Sequence, residues 1–192
     1  MKAPVNVKEA ILVAGQELLR ESGVAALTQP KVARAAGIKQ SHLTYYFPTR
    51  AKLLLGIAEY TASEAMAHVA ERLAAKPERA TLAGMVSEIM INGLPPRVVI
   101  GLIVAADAEP GIRDSLRELV SNVRARLQSL LAAAGLAASA DAALLFHATV
   151  VGLAVMHQAR MSPASAAEVD NGVASMLKLL ALPVHDIGGE RP

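Results

Sequence analysis

Cysteine and tryptophan are absent from this sequence, and only five of its 192 residues are aromatic, three Tyr and two Phe. The lack of cysteine excludes disulfides, a thiol nucleophile and a Cys-type zinc site. Long hydrophobic runs are also missing. The longest nearly apolar stretch, 142–156, is interrupted by His147 and Thr149, and the stretch 98–106 is short. A membrane-spanning helix needs roughly 20 apolar residues. The apolar run 10–15 near the N-terminus leads straight into Gln16 and Glu17, which does not read as a signal peptide. A cytoplasmic protein without membrane contact is therefore expected. No catalytic triad, phosphate-cradling glycine loop or carboxylate pair is visible. His147 and His157 are ten apart rather than the four that would place two ligands on one helix face. Neither an enzyme, a cofactor nor a metal site is expected.

What is present points to helices. Hydrophobic residues make up 53% of the chain. Much of that share is Ala and Leu, the strong helix formers, so an all-α fold is expected. No repeat at a fixed period is found. Surplus apolar surface of this kind is often covered in a subunit interface or a ligand cavity. The net charge of +2 hides an asymmetry. Residues 1–56 carry eight basic against three acidic residues, whereas the remainder carries eleven against fourteen. Phosphate binding depends on this local field rather than on the sum.

Three of the five aromatics, Tyr45, Tyr46 and Phe47, stand side by side. Lys39, Gln40, Ser41 and His42 precede them, and Arg50 and Lys52 follow, all able to touch phosphates or base edges. Helical periodicity predicts a first helix over about 7–22, ended by Gly23. A short second helix is capped by Thr28, with Pro30 in its first turn, and Gly37 stops it. A third covers about 39–47 and is closed by Pro48. At 100° per residue Leu43 and Phe47 face inward, while Ser41, Thr44 and Tyr45 face outward and Gln40 sits at the exposed N-terminal end. That is a helix-turn-helix with a recognition helix. Six further helices are expected: 50–75 capped by Thr49, 78–91, one ending near 107, one reaching 134, 139–161, and one opened by Ser162-Pro163 and running to about 182. Three units follow from this: a DNA-binding domain over 1–50, a helical domain over 51–185, and a disordered tail over 186–192.

The ordered set Ala14, Leu18-Leu19, Gly23, Leu27-Thr28, Val32-Ala33, Ala36-Gly37-Ile38, Leu43, Tyr46-Phe47, Thr49-Arg50 and Leu53-Leu54 resembles the tetracycline-repressor (TetR) family of regulators. The resemblance covers about a quarter of the chain. It implies a homodimer whose first three helices bind a palindromic operator in double-stranded DNA. It also implies that 51–185 is a ligand-binding and dimerisation domain, with a small-molecule effector pocket among the C-terminal helices and a dimer interface made by the last two. By the same resemblance Gln29, Gln40, Ser41, His42, Thr44, Tyr45, Tyr46 and Arg50 face DNA, joined by Thr28 and Lys39 from the local pattern. Thr44 departs from the family, which usually has Tyr there.

The C-terminal residues offer Met66, Met85, Met90, Asp107, His147 and Val151 as pocket candidates, with His68, Asn92, Thr149 and Met156 behind them. With so few aromatics, the lining would be aliphatic and would suit a hydrophobic or amphipathic molecule. Leu144, Leu145, Val151, Ala154, Val173, Met176, Leu177 and Leu180 are the dimer candidates, with Ala148, Gly152 and Ala174 allowing close approach. The expected function is a ligand-responsive repressor. A DNA-binding protein without a ligand, or an activator, stands as the alternative.

Overall fold

The structure, a computed structural model, describes residues 6–92 and 95–181, all helices and connections. The order is α1 (Val7–Ala26), α2 (Gln29–Ala35), α3 (Gln40–Tyr46), α4 (Arg50–Ala75), α5 (Arg79–Asn92), α6 (Pro95–Ala108), α7 (Pro110–Ala133), α8 (Ala140–Arg160) and α9 (Pro163–Leu179). The fold is all-α, an N-terminal helix-turn-helix followed by a helical C-terminal part, as the composition predicts. The tail 186–192 lies outside the described residues.

The boundaries have local causes. Asn6, Thr49, Ser139 and Ser162 each accept a backbone N–H of the first turn they precede, satisfying donors that a helix start leaves unpaired. Ser162 and Ser165 do this reciprocally. The first helix differs from expectation in length. Its regular geometry stops at Gly23 (φ 73°), but one more turn carries it to Ala26. Thr28 occupies the N-cap position of α2 without a side-chain cap bond.

Two hydrophobic cores are strung along α4. The first gathers Ile11, Leu19, Val32, Leu43 and Phe47 from α1–α3 with Leu53, Leu54 and Ile57 of α4, and it also takes Val98, Leu102 and Ala106 of α6. The second gathers Val69 and Leu73 at the far end of α4 with Leu82, Leu131, Phe146, Val150, Val169 and Val173 from α5, α7, α8 and α9. A cut at residue 50 therefore runs through the first core. Among the described helices only α8 is long and apolar enough to cross a bilayer. It packs instead against α5, α7 and α9.

Candidate functional site

The turn between α2 and α3 is built by Gly37. It adopts φ 67°, a left-handed conformation that costs little without a Cβ. Its N–H reaches Arg34 O and the Ile38 N–H reaches Ala33 O, closing the end of α2 and aiming α3 across it. Leu43 is fully buried and Phe47 nearly so. The opposite face of α3 is exposed, as the 100° projection requires. Lys39, Gln40, Ser41 and His42 project there. Tyr45 is 83% exposed and Tyr46 41%, their rings edge to face with centroids 5.3 Å apart. The buried pair fixes the helix, and the exposed set is free to meet a ligand.

Three of the expected DNA contacts are engaged within the protein. Gln29 Nε2 donates to Phe47 O at 2.6 Å, tying the start of α2 to the end of α3. Thr44 Oγ1 donates back to Gln40 O at 2.7 Å, four residues earlier on its own helix. Arg50, expected at a phosphate, places Nε on Leu27 O at 2.7 Å and an Nη on Val24 O at 2.6 Å. Those carbonyls end α1, where partial negative charge collects, and Val24 O also accepts the Leu27 N–H at 3.2 Å. Arg50 thus locks α1 to α4.

The second site is a cavity of about 130 Å³ between the two cores. It opens where the inward face of α4 turns from Leu and Ile to small residues: Ala58, Thr61, Ala62 and Ala65. Val98 and Val99 of α6 form one wall, and Phe146, His147 and Val151 of α8 another. Of the expected pocket residues, Met66, Met90, His147 and Val151 line it. Asp107 does not. It is exposed and paired with Arg113 at 3.0 Å, because its turn of α6 points to solvent. Met85 packs against the C-terminal core without reaching the cavity, and Met156 is exposed. Burial, and then the charge of Arg124, holds the His147 imidazole below the usual histidine range. No three His, Asp or Glu side chains converge as a metal site among the described residues.

Sequence reasoning missed the links between the two sites. Thr61 in the cavity wall accepts from Gln16 Nε2 of α1 at 3.3 Å. Thr49 Oγ1, at the start of α4, donates to Glu109 Oε2 at 3.0 Å, just beyond α6. Gly101 of α6 sits so close to α1 that a Cβ there would meet Val24 Cγ1 at 2.8 Å. Among the expected dimer residues, Ala154, Val173 and Leu177 are buried inside the subunit. They leave nothing for a partner to cover, because α8 and α9 turn these positions toward each other and α5. Met176 and Leu180 are half-buried against the same core. Leu144 and Leu145 are exposed, and the space beside Gly152 is open.

The comparisons with known proteins agree with this geometry. The model for bacterial regulatory proteins of the tetR family matches residues 11–57, the span from α1 into α4. Over this segment the chain is similar to the tetR family. The HTH-type transcriptional regulator CymR of Pseudomonas putida is 30% identical over 117 residues, which span 59% of this chain and 58% of that protein. The fold recurs in a TetR transcription regulator of Haloarcula marismortui, with a TM-score of 0.68 at 14% identity over 92% of this chain and 99% of that one. It also recurs in the multidrug binding protein EbrR complexed with imidazole, with a TM-score of 0.64 at 20% identity over 95% and 99%.

Proposed function

We propose that this tetR-family protein is a cytoplasmic transcriptional repressor, not an enzyme, that binds palindromic operator DNA as a homodimer and releases it when a small hydrophobic molecule enters the cavity. The observation that carries the reading is the pairing of an exposed, polar α3 face with a cavity whose walls are fixed to the reading half. In the major groove Gln40 offers an amide suited to adenine N6/N7, and Ser41 and His42 offer further donors and acceptors. Lys39, Tyr45 and Tyr46 suit phosphates, which set register rather than sequence. Thr28 flanks this face at the start of α2, and Gln29, Thr44 and Arg50 support it from within. Leu144, Leu145 and Met156 of α8 and Leu179 of α9 are exposed apolar side chains that a second subunit would cover.

Release needs a ligand that favours a conformation unable to span two half-sites, since only differential affinity shifts an equilibrium. Gln16–Thr61, Thr49–Glu109 and the Gly101 seat supply the route, because they join the reading half to α4, to the start of α7 and to α6. The cavity favours this reading over DNA binding without a ligand. Fluorescence anisotropy with operator DNA selected from a random pool tests it. Sequence-selective, salt-sensitive binding is expected, weakened about 10- to 100-fold by Gln40→Ala and weakened on all sequences alike by Tyr46→Ala. Binding left unchanged by both variants overturns the assignment.

A further inference from the structure

The walls of the cavity restrict what enters it. Among the described residues no carboxylate, lysine or arginine side chain lines it, and the polar side chains of that lining are Thr61 and His147. Within that lining a cation finds neither a counter-charge nor an aromatic cage, since Phe146 is its one aromatic ring. Arg124, whose buried Nε has no hydrogen-bond partner among the described residues, stands outside the lining, so among the described residues the wall itself offers an anion no charged donor. Stripping either ion of water in such a place is costly without a partner. Thr61 already accepts from Gln16. His147 finds no hydrogen-bond partner among the described residues. The volume of about 130 Å³ is on the scale of an apolar cavity of roughly 150 Å³ known to hold one benzene ring.

We infer that the cavity takes an uncharged, mostly hydrocarbon molecule about the size of a single ring, with one hydroxyl or carbonyl held by His147. This rests on the reading of the cavity as the effector site and narrows the chemical class of that effector. Multi-ring dyes and charged amphipaths fall outside it. Burial of the neutral imidazole agrees with a neutral guest, because His147 then offers one N–H and one lone pair without charge.

Four probes of one shape isolate the headgroup: toluene, benzyl alcohol, benzoate and benzylammonium. Added at equal millimolar concentration to the full-length protein at neutral pH, toluene and benzyl alcohol are expected to raise Tm by about 5 °C near saturation. Benzoate and benzylammonium are expected to leave Tm unchanged. His147→Leu is expected to weaken benzyl alcohol about five- to tenfold relative to toluene, the loss of one hydrogen bond. Ala62→Leu, which fills the cavity, is expected to abolish both shifts. Should His147→Leu fold poorly, His147→Gln keeps a donor and is expected to retain the preference for benzyl alcohol. No shift with either neutral probe, or a larger one with a charged probe, overturns the inference. Operator binding in the same samples reads the regulatory function separately. Release by benzoate but not by toluene would sink the ligand class and leave the regulator. Uptake of toluene by a protein that never binds DNA would do the reverse.

Discussion

The outer face of α3 and the middle of α4 are opposites. The first is defined by what it carries: an amide, a hydroxyl, an imidazole, a lysine and two phenols within the eight residues 39–46, with two apolar anchors beneath. The second is defined by what is missing: three alanines and a threonine where the same helix earlier carries Leu53, Leu54 and Ile57. A surface that reads DNA needs side chains, whereas a chamber needs the lack of them. The two are joined because α6 walls the chamber with Val98 and Val99 while Val98, Leu102 and Ala106 belong to the core under the reading helices.

The sharpest way to break the contrast is to treat the two halves alike. Leu43→Ala removes a fully buried anchor under α3, and loss of about 2–5 kcal/mol of stability is expected in urea unfolding. Gly101→Val drives a β-branched side chain into Val24 and Leu54. It is expected to cost about 1–3 kcal/mol and to uncouple DNA release from the ligand while leaving ligand uptake in place. Anisotropy with and without the probe checks this.

Arg50→Lys asks whether Arg50 belongs to the surface or to the scaffold. Lysine keeps the charge but lacks the planar fork by which Nε and Nη reach separate carbonyls. A stability loss of about 1 kcal/mol is expected, with the salt dependence of DNA binding unchanged. Lys39→Ala, by contrast, is expected to lower the slope of log K against log salt by about one. The smallest effect concerns pH. Above its usual range His147 is neutral folded or unfolded. As pH falls below about 6.5, the unfolded chain takes up a proton that the folded protein resists. Stability therefore declines with acidification, and His147→Leu is expected to show a shallower decline between about pH 7 and 5.5. Arg124 of α7 is the charged group acting on this imidazole, and among the described residues α4, α5 and α6 bring no ionisable side chain to the cavity wall.

The same contrast explains what could be read from the sequence. Gly37, Leu43 and Phe47 mark a turn and a buried stripe by their types and spacing, so the helix-turn-helix was legible, as were the caps at Thr49, Ser139 and Ser162. Long-range partners were not. Nothing local to Arg50 says that the end of α1 lies 2.6 Å away, and Glu109 reads as one more surface acid. Pocket residues chosen by type brought in Asp107 and Met85, because type does not fix which face of a helix meets the cavity. Alanines 58, 62 and 65 look like ordinary helix formers, and only the packing of α6, α7 and α8 around them leaves a hollow.

The shared ownership of α6 bears on how the protein could be taken apart and recombined. A fragment ending at residue 50 would strip Leu43 and Phe47 of Leu53, Leu54, Ile57, Val98 and Leu102, which complete their core. On the proposed function, the DNA-reading module that could be transplanted is therefore discontinuous. It comprises α1–α3, the first half of α4, and the face of a helix that arrives some forty residues later in the chain. A chimera that respects the spatial boundary should fold and read its operator, while one that respects only the linear boundary should not.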